Sequence, residues 1–331
     1  MPQSISRRHL LSGLAATGLG VLFGAGLRRR AFAQDGGLNV VATTGQVADA
    51  ARNIGGGLIT VTAIMGAGID PHSYTPSEGD LERLFDADVI LYSGLELEGR
   101  FTEVFDSLRS EKQVVGVAET IPAELRIASP HYPDQADPHV WFDPAIWDYA
   151  IAATSVALRE ADPDNAATYD ANAAAYRAEV TSFATTAEAT LATVPPERRV
   201  LVTAHDAFNY FGRRFGFEVI GIQGISTETE AGVNDLQNVA QLISDRRIPA
   251  IFVESSVSPA TIDAVQAAVR DRGFDVVIGG QLYSDALGDE GTPDGTYLGM
   301  FTTNVNTIAV SLGGSAIGAA PATTPAATPI V

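Results

Sequence analysis

The stretch PDNAATYDANAAAYRAEVTSFATTAEATLATV, residues 163–194, decides the fold because its pattern predicts one long helix. It is rich in alanine, contains no glycine, and places Tyr169, Tyr176 and Phe183 at roughly helical spacing. Proline is well placed at the first helical position, and Pro195-Pro196 ends the pattern. About thirty residues at ~1.5 Å each would make a helix of ~45 Å, which is much longer than an ordinary crossover helix.

Short strands alternate with helices on both sides of this helix, as in parallel βαβ units. The predicted strands are 38–42, 59–65, 89–92, 114–117, 200–203, 218–222, 250–253 and 275–278. We therefore predict an α/β protein of two lobes, 38–160 and 198–313, each with a mostly parallel sheet flanked by helices. The helix at 163–194 joins them. The Ala/Thr/Pro-rich, uncharged stretch 314–331 is predicted to be a disordered tail.

The N-terminus has the pattern of an export signal. Ser6-Arg7-Arg8-His9-Leu10-Leu11 is a twin-arginine pattern, a Gly/Ala-rich apolar run follows over 10–27, and Ala31-Phe32-Ala33 offers a cleavage site. A transmembrane anchor is the alternative, but the run is barely long enough to span a membrane. We predict that residues 1–33 are a twin-arginine signal peptide.

Composition narrows the class of function. The net charge is −19, and residues 1–33 carry five arginines and no acidic residue, so their removal would make the chain still more acidic. An acidic chain lacks the basic footprint of a nucleic-acid-binding protein. There is no cysteine, which excludes disulfides, thiolate metal ligands and a lipid-modified cysteine in this sequence. We expect a soluble periplasmic protein without a lipid anchor.

Two of the five histidines occur in the same tripeptide, Asp70-Pro71-His72 and Asp137-Pro138-His139. Each proline fixes its own φ and restricts the residue before it, so the backbone around both histidines is stiff. A lone histidine in such a loop is more often a packed turn residue. A repeated one favours a metal site, because a stiff loop delivers a pre-oriented ligand.

Two further side chains join these histidines at strand ends. His72 follows the strand at 59–65, His205 follows the strand at 200–203, and Asp285 follows the strand at 275–278. Ligands of open α/β sheets bind at the carboxyl ends of strands, so these residues and His139 could converge between the lobes. Three imidazoles and one carboxylate form a four-coordinate set that zinc favours. Manganese or iron(II) would prefer more oxygen ligands.

Other polar residues near these positions have two interpretations each. His205 could be a cap or a core histidine, and His131 is expected in an exposed loop, although it could help capture metal. Glu230 and Glu254 could orient the ligand imidazoles, or they could be capping or solvated carboxylates.

The quoted motifs resemble those of the zinc/manganese substrate-binding proteins of ABC importers, the ZnuA/TroA-like family. They are Asp70-Pro71-His72, the segment 137–144 (DPHVWFDP), the segment 205–211 (HDAFNYF) and the segment 283–288 (YSDALG). The resemblance covers about 38–313. It implies two lobes joined by a rigid helix, metal ligands at His72, His139, His205 and Asp285, and delivery of the ion to a membrane permease. A monomer is expected, and a periplasmic metallochaperone is a further candidate partner.

The resemblance also bears on the metal. Relatives that look manganese- or iron-selective usually have Glu where this chain has His205, which favours Zn²⁺ over Mn²⁺ or Fe²⁺. The region 122–136 lacks the long His/Asp-rich loop of the commonest zinc-specific members and looks more like the AztC-like zinc-binding branch.

Other functions fit the sequence less well than a high-affinity zinc receptor does. A metallohydrolase usually leaves one zinc position open for water, whereas four protein ligands would fill it. The sequence has no G-x-S-x-G elbow and no phosphate-binding G-x-x-x-x-G-K-[ST] loop. An adhesin, or a surface protein that only stores metal, has no positive support. We therefore predict that the protein is not an enzyme.

Overall fold

The computed structural model describes residues 37–129 and 135–318. The predicted signal peptide at 1–33, His131 and residues 319–331 lie outside this range. Within it, no helix has both the length and the apolar character needed to cross a membrane.

The N-terminal lobe is built on one parallel sheet of four strands. The strands are β1 (Leu38–Ala42), β2 (Ile59–Ala63), β3 (Val89–Tyr92) and β4 (Gln113–Gly116). Their order in the sheet is β2-β1-β3-β4, with Leu38 of β1 paired with Ile59 of β2 and Val89 of β3 paired with Gln113 of β4. The helices of this lobe are α1 (Gly45–Gly55), α2 (Glu78–Asp86), α3 (Thr102–Leu108) and α4 (Pro144–Ala161).

The C-terminal lobe contains two parallel two-stranded sheets. Its strands are β5 (Val200–Thr203) paired with β6 (Glu218–Gly221), and β7 (Ala250–Glu254) paired with β8 (Val277–Leu282). Its helices are α6 (Asn209–Phe215), α7 (Val233–Arg246), α8 (Ala260–Asp271) and α9 (Tyr297–Ser311). This arrangement and the N-terminal sheet confirm the predicted two-lobe α/β class.

Strand β8 differs from its prediction in where it ends. The sequence pattern predicted a strand at 275–278, but β8 continues through two glycines to Leu282. A Cβ on Gly279 would lie 2.7 Å from the Phe252 ring, so only glycine lets the strand pass this close to β7. The longer strand brings its carboxyl end, and Asp285 beyond it, to the site between the lobes.

The linking helix α5 spans Ala166–Leu191, 26 residues or ~39 Å. It is shorter than predicted because residues 163–165 form a 3₁₀ turn and the helix ends before Val194. The Tyr176 hydroxyl donates to Asp49 of α1, and the Phe183 ring lies 5.3 Å from that of Phe301 in α9. The helix therefore packs against elements of both lobes, within one hydrophobic core.

Helix caps fix the two loops that carry the first pair of histidines. Ser77 and Asp80 form a capping box at the start of α2, and the Tyr74 hydroxyl also donates to Asp80. Asp143 accepts from the backbone of Ala145 at the start of α4, where proline occupies the first turn. Both loops thus enter rigid helices a few residues after their histidines.

The described fold extends slightly beyond the predicted C-terminal boundary at 313. The Ser315 N–H donates to Thr193, and the Ile317 N–H donates to Asn306. Ser315 and Ile317, in the segment predicted to be a disordered tail, therefore have defined partners. Residues 319–331 of that segment lie outside the described residues.

Candidate metal centre

The structure brings together the four residues that the sequence predicted as ligands. One ligand atom from each of His72, His139, His205 and Asp285 lies within 4.8 Å of all the others. His72 is 7% exposed, and each of the other three residues is 1% exposed or less. Two of the four come from each lobe.

Short contacts between the donor atoms outline a single point among the four side chains. The Nε2 atoms of His72 and His139 are 3.3 Å apart. Asp285 Oδ1 lies 3.2 Å from His139 Nε2, and Asp285 Oδ2 lies 3.2 Å from His205 Nε2. Three buried imidazole nitrogens and a carboxylate that face one another suit a divalent cation, because buried polar groups need partners.

His139 is held by the aspartate two residues before it. Asp137 Oδ1 accepts from the His139 backbone N–H at 2.9 Å and contacts its ring Nδ1 at 2.7 Å. The other carboxylate oxygen accepts from Asn209 at 3.1 Å. Because Nδ1 is engaged by a carboxylate, Nε2 is the nitrogen directed at the site. This role of Asp137 was not predicted from its motif, because Asp70-Pro71-His72 has the same spacing and its carboxylate contacts the backbone of His72 but not the ring.

His205 is held by Glu254, which lies at the end of the neighbouring strand β7. Glu254 Oε1 accepts from the His205 backbone N–H at 2.8 Å, and Oε2 lies 2.6 Å from ring Nδ1 as an ion-pair contact. The two interpretations left open for Glu254 are thereby decided in favour of orienting an imidazole. Glu230 is exposed and lines the cleft instead.

His72 is held through its backbone. Asp70 Oδ1 accepts from the His72 N–H at 2.9 Å, and Oδ2 accepts from Ser73 at 2.8 Å and from Thr227 of the other lobe at 2.6 Å. Among the described residues, no carboxylate lies within ion-pair distance of the His72 ring. Its loop, rather than a carboxylate, therefore sets its orientation.

Asp285 lies on a segment fixed by hydrogen bonds from both lobes. The Tyr283 backbone donates to Asn304 at 2.9 Å and accepts from it at 2.7 Å. The Trp141 indole N–H donates to the Ser284 carbonyl at 3.0 Å. The backbone that carries Asp285 is thus anchored to α9 and to the loop of His139.

Burial and neighbouring charges separate the titration of the three imidazoles. Burial, reinforced by the other two imidazoles, lowers the pKa of His72 to about 4. Burial would also lower the pKa of His139, but the carboxylates of Asp137 and Asp285 outweigh it and raise that pKa to about 9. The pKa of His205 is likewise raised well above its usual value, against the effect of burial, by Glu254 and Asp285.

Asp285 is the negative counterpart of these imidazoles. Its burial would raise the pKa of the carboxyl, but His205 and His139 hold that pKa well below its usual value. The site therefore contains an ionised carboxylate that can serve as a ligand across the ordinary pH range.

A cleft of about 900 Å³ leads to the site, and His72 lines it. Its other lining residues come from both lobes and include the acidic residues Glu96, Asp206, Glu228, Glu230 and Asp235. An acidic cleft raises the local concentration of cations.

An ion pair between described residues crosses this cleft. Arg100 Nη2 of the N-terminal lobe lies 3.0 Å from Glu228 Oε1 of the C-terminal lobe. A second guanidinium N–H of Arg100 donates to Thr75 at 2.8 Å, in the loop that carries His72. The Arg100–Glu228 pair and the Thr227–Asp70 hydrogen bond together tie that loop to the opposite lobe.

Comparisons with known proteins show the family of this chain. A family model described as "Zinc-uptake complex component A periplasmic" matches residues 40–311. The manganese-binding lipoprotein MntA of Bacillus subtilis (strain 168) is 45% identical over 291 residues, which cover 88% of this chain and 95% of MntA. The iron-binding protein YfeA of Yersinia pestis is 32% identical over 274 residues, 83% of this chain and 86% of YfeA.

The zinc-binding protein TroA of Treponema pallidum (strain Nichols) is similar in both sequence and structure. It is 45% identical over 280 residues, covering 85% of this chain and 90% of TroA. Its solved structure superimposes with a TM-score of 0.82 over 84% of this chain and 99% of that one. Relatives that share the fold are thus named for manganese, for zinc and for iron.

Proposed function

Because this chain belongs to the ZnuA family of metal-binding substrate-binding proteins of ABC importers, we propose that it is an extracytoplasmic zinc receptor. In this proposal His72, His139, His205 and Asp285 bind the transported ion between the lobes. The observation that carries the proposal is the convergence of four buried donor atoms within 4.8 Å. The ion is the cargo of the protein and would be delivered to a membrane permease.

The donor set favours Zn²⁺ over the other candidate ions. Three imidazoles with one carboxylate match the four-coordinate geometry of zinc, whereas Mn²⁺ and Fe²⁺ prefer additional oxygen ligands. A manganese or iron(II) receptor is the second candidate, and the 45% identity to a protein named for manganese binding supports it. The two candidates differ only in the ion and share the site.

The proposed location is the extracytoplasmic side of a membrane. The family is described as periplasmic, and the twin-arginine pattern at the N-terminus predicts export. MntA is named a lipoprotein, whereas the present sequence contains no cysteine. Our expectation that the mature protein is unanchored stays a prediction, and fractionation of cells into periplasm and membrane tests it. Our expectations of a monomer and of a metallochaperone partner also stay predictions.

A receptor without catalytic activity accounts for the site better than a metallohydrolase does. Four protein donors around one ion would fill the position that a catalytic zinc keeps for water. Relatives named for binding manganese, zinc and iron support the same conclusion. Release of the ion would then require a donor to leave.

We expect that release to involve a loop rather than a wide opening of the lobes. The linking helix α5 packs against both lobes within one core, which disfavours a large hinge rotation. Metal-free and metal-bound crystal structures should therefore differ mainly in the loops around the site. A large rotation of one lobe against the other would contradict this expectation.

Metal titration of the purified protein tests the function. After the metal is removed with a chelator, calorimetry should show one tight site per chain for Zn²⁺ and weaker binding of Mn²⁺ and Fe²⁺. The metal content of protein isolated from its native compartment gives an independent measurement. Tight binding of Mn²⁺ with weak binding of Zn²⁺ would favour the second candidate, and an absence of binding to any of the three would overturn both.

A further inference from the structure

We infer that the hydroxyl of Ser256 is a specificity-determining group, which keeps Asp285 bound to the ion through one oxygen and thereby favours a four-coordinate metal. This inference rests on the proposed function and deepens it. Ser256 lies in the segment after β7, two residues beyond Glu254, and its hydroxyl donates to Asp285 Oδ2 at 3.3 Å. It touches no donor of the ion other than this carboxylate in the described part of the chain, so it acts through Asp285.

The two oxygens of Asp285 have different surroundings. Oδ2 receives the Ser256 hydroxyl and lies against His205. Oδ1 is buried and has no hydrogen-bond partner among the described residues, although His139 Nε2 lies 3.2 Å away. A buried, unpaired carboxylate oxygen is costly unless it has a cationic partner, which identifies Oδ1 as the oxygen left for the ion.

A second hydroxyl supports this hydrogen bond. The Ser256 and Ser284 hydroxyl oxygens are 2.8 Å apart, and Ser284 is fully buried. Because the Ser256 proton is donated to a carboxylate that can only accept, Ser256 is left to accept from Ser284. The resulting chain from Ser284 through Ser256 to Asp285 is cooperative, so each hydrogen bond strengthens the next.

The backbone leaves Asp285 little freedom to respond in another way. Its segment is anchored by Asn304 through Tyr283 and by the Trp141 indole through the Ser284 carbonyl. What can change is the engagement of Oδ2. If Oδ2 loses its hydroxyl donor, both oxygens of the carboxylate become available to the ion. Bidentate binding would raise the coordination number, which suits Mn²⁺ better than Zn²⁺.

The substitution that tests this inference is Ser256→Ala, measured as the ratio of Zn²⁺ to Mn²⁺ affinity by competition with a chelator. Outer-shell partners typically change metal affinity by ~10–100-fold, and we expect the ratio to fall by about 10-fold in favour of Mn²⁺. Ser256→Thr keeps the hydroxyl and should keep the ratio of the unmodified protein. Ser255→Ala is the matched control, because the neighbouring Ser255 hydroxyl has no hydrogen-bond partner among the described residues.

Cobalt(II) provides a readout that a merely structural role would not change. In the unmodified protein, Co²⁺ should show the intense visible bands of a four-coordinate site. In Ser256→Ala these bands should weaken toward those of a five- or six-coordinate site. Ser284→Ala removes only the outer hydroxyl and should shift the ratio and the spectrum in the same direction by a smaller amount, which keeps the test available if Ser256→Ala folds poorly.

The outcomes separate the inference from the proposed function. A changed affinity ratio together with a changed cobalt spectrum supports the inference. Unchanged values in both serine variants, or an equal loss of affinity for both metals with an unchanged spectrum, would overturn it while the receptor function stands. Failure of the unmodified protein to bind any of these metals would overturn the proposed function and the inference with it.

Discussion

The two Asp-Pro-His segments share one tripeptide but hold their histidines in different ways. Asp137 is fully buried, and one of its oxygens contacts both the backbone N–H and the ring Nδ1 of His139. Asp70 is partly buried and accepts from the backbone N–H of His72 but does not contact its ring, and its other oxygen accepts from Ser73 and from Thr227 across the cleft. The same tripeptide therefore gives an imidazole that is braced, meaning that a carboxylate contacts its ring Nδ1, at His139, and an unbraced imidazole at His72.

This difference indicates which imidazoles are held in place and which one can move away from the ion. His139 and His205 each have a carboxylate at ring Nδ1, and both are fully buried. The orientation of the His72 ring depends on its loop and on the contacts of that loop with the other lobe. His72 also lines the cleft. We therefore expect the ion to leave from the His72 side, while the two braced imidazoles stay in place.

The largest expected effect comes from removing a braced ligand. His139→Ala should lower Zn²⁺ affinity by more than about 100-fold, since even the loss of an outer-shell partner costs ~10–100-fold. His72→Ala should lower it less, because water can replace an imidazole at the cleft. Calorimetric titration of the metal-free variants measures both. His131→Ala is the control and is expected to leave the affinity unchanged. Equal losses of affinity in the two ligand variants would contradict the distinction between braced and unbraced imidazoles.

A smaller effect is expected from removing the braces themselves. Asp137→Asn and Glu254→Gln should each lower Zn²⁺ affinity by about 10–100-fold, because the ring loses the carboxylate that orients it and raises its basicity. Asp70→Asn is the matched variant in the other tripeptide and should cost only a few-fold, since Asp70 does not touch the His72 ring. Chelator competition measures all three affinities. A loss in Asp70→Asn as large as that in Asp137→Asn would contradict our account.

Proton release on binding should distinguish the same two imidazoles. Imidazole must be neutral to bind a metal, and the pKa of His139 is about 9 whereas that of His72 is about 4 in the metal-free protein. At pH 7 His139 must therefore lose its proton to the incoming ion, as must His205, whose pKa is also raised well above its usual value, whereas His72 is already neutral. Affinity should rise with pH through about 9 as these two imidazoles lose their protons.

Calorimetry in buffers of different ionisation enthalpy counts the released protons. Asp137→Asn removes the carboxylate that raises the pKa of His139, so we expect this variant to release about one proton fewer at pH 7. His72→Ala should leave the count unchanged. An undiminished count in Asp137→Asn would show that His139 does not carry a proton that is lost on binding.

The smallest expected effect is on the rate of metal release. Arg100→Gln removes an exposed ion pair with Glu228, and pairs of this kind contribute ~0.2–1 kcal/mol, so release should become up to about five-fold faster. Stopped-flow transfer of the metal to a chelator measures the rate. Glu218→Gln breaks the Arg246–Glu218 pair within the C-terminal lobe and is the control. A slower release from Arg100→Gln, or equal changes in both variants, would argue against a role for the cleft contacts.

Much of this arrangement could be predicted from the sequence because it depends on local patterns. Alternating strands and helices indicated two α/β lobes, and a glycine-free, alanine-rich stretch indicated the linking helix. The caps at Ser77 and Asp143 follow from residue types and spacing. Three of the four candidate donors were identified because they follow predicted strands, where parallel sheets place ligands, and His139 was identified because it repeats the Asp-Pro-His tripeptide.

What could not be predicted depends on tertiary contacts. The Asp70 and Asp137 tripeptides are identical, and only their burial and neighbours decide which carboxylate meets its imidazole ring. Glu254 was undecided because its partner is 49 residues away. The role inferred for Ser256 depends on a 3.3 Å contact between two loops, for which no sequence pattern exists.

We propose that three imidazoles and Asp285 share one ion between the lobes, and anomalous diffraction from crystals of the zinc-loaded protein locates that ion. We predict one strong anomalous peak among the four side chains, at about 2.0–2.2 Å from Nε2 of His72, His139 and His205 and from Oδ1 of Asp285. A peak elsewhere, or one that lacks any of the braced imidazoles among its ligands, would contradict our account.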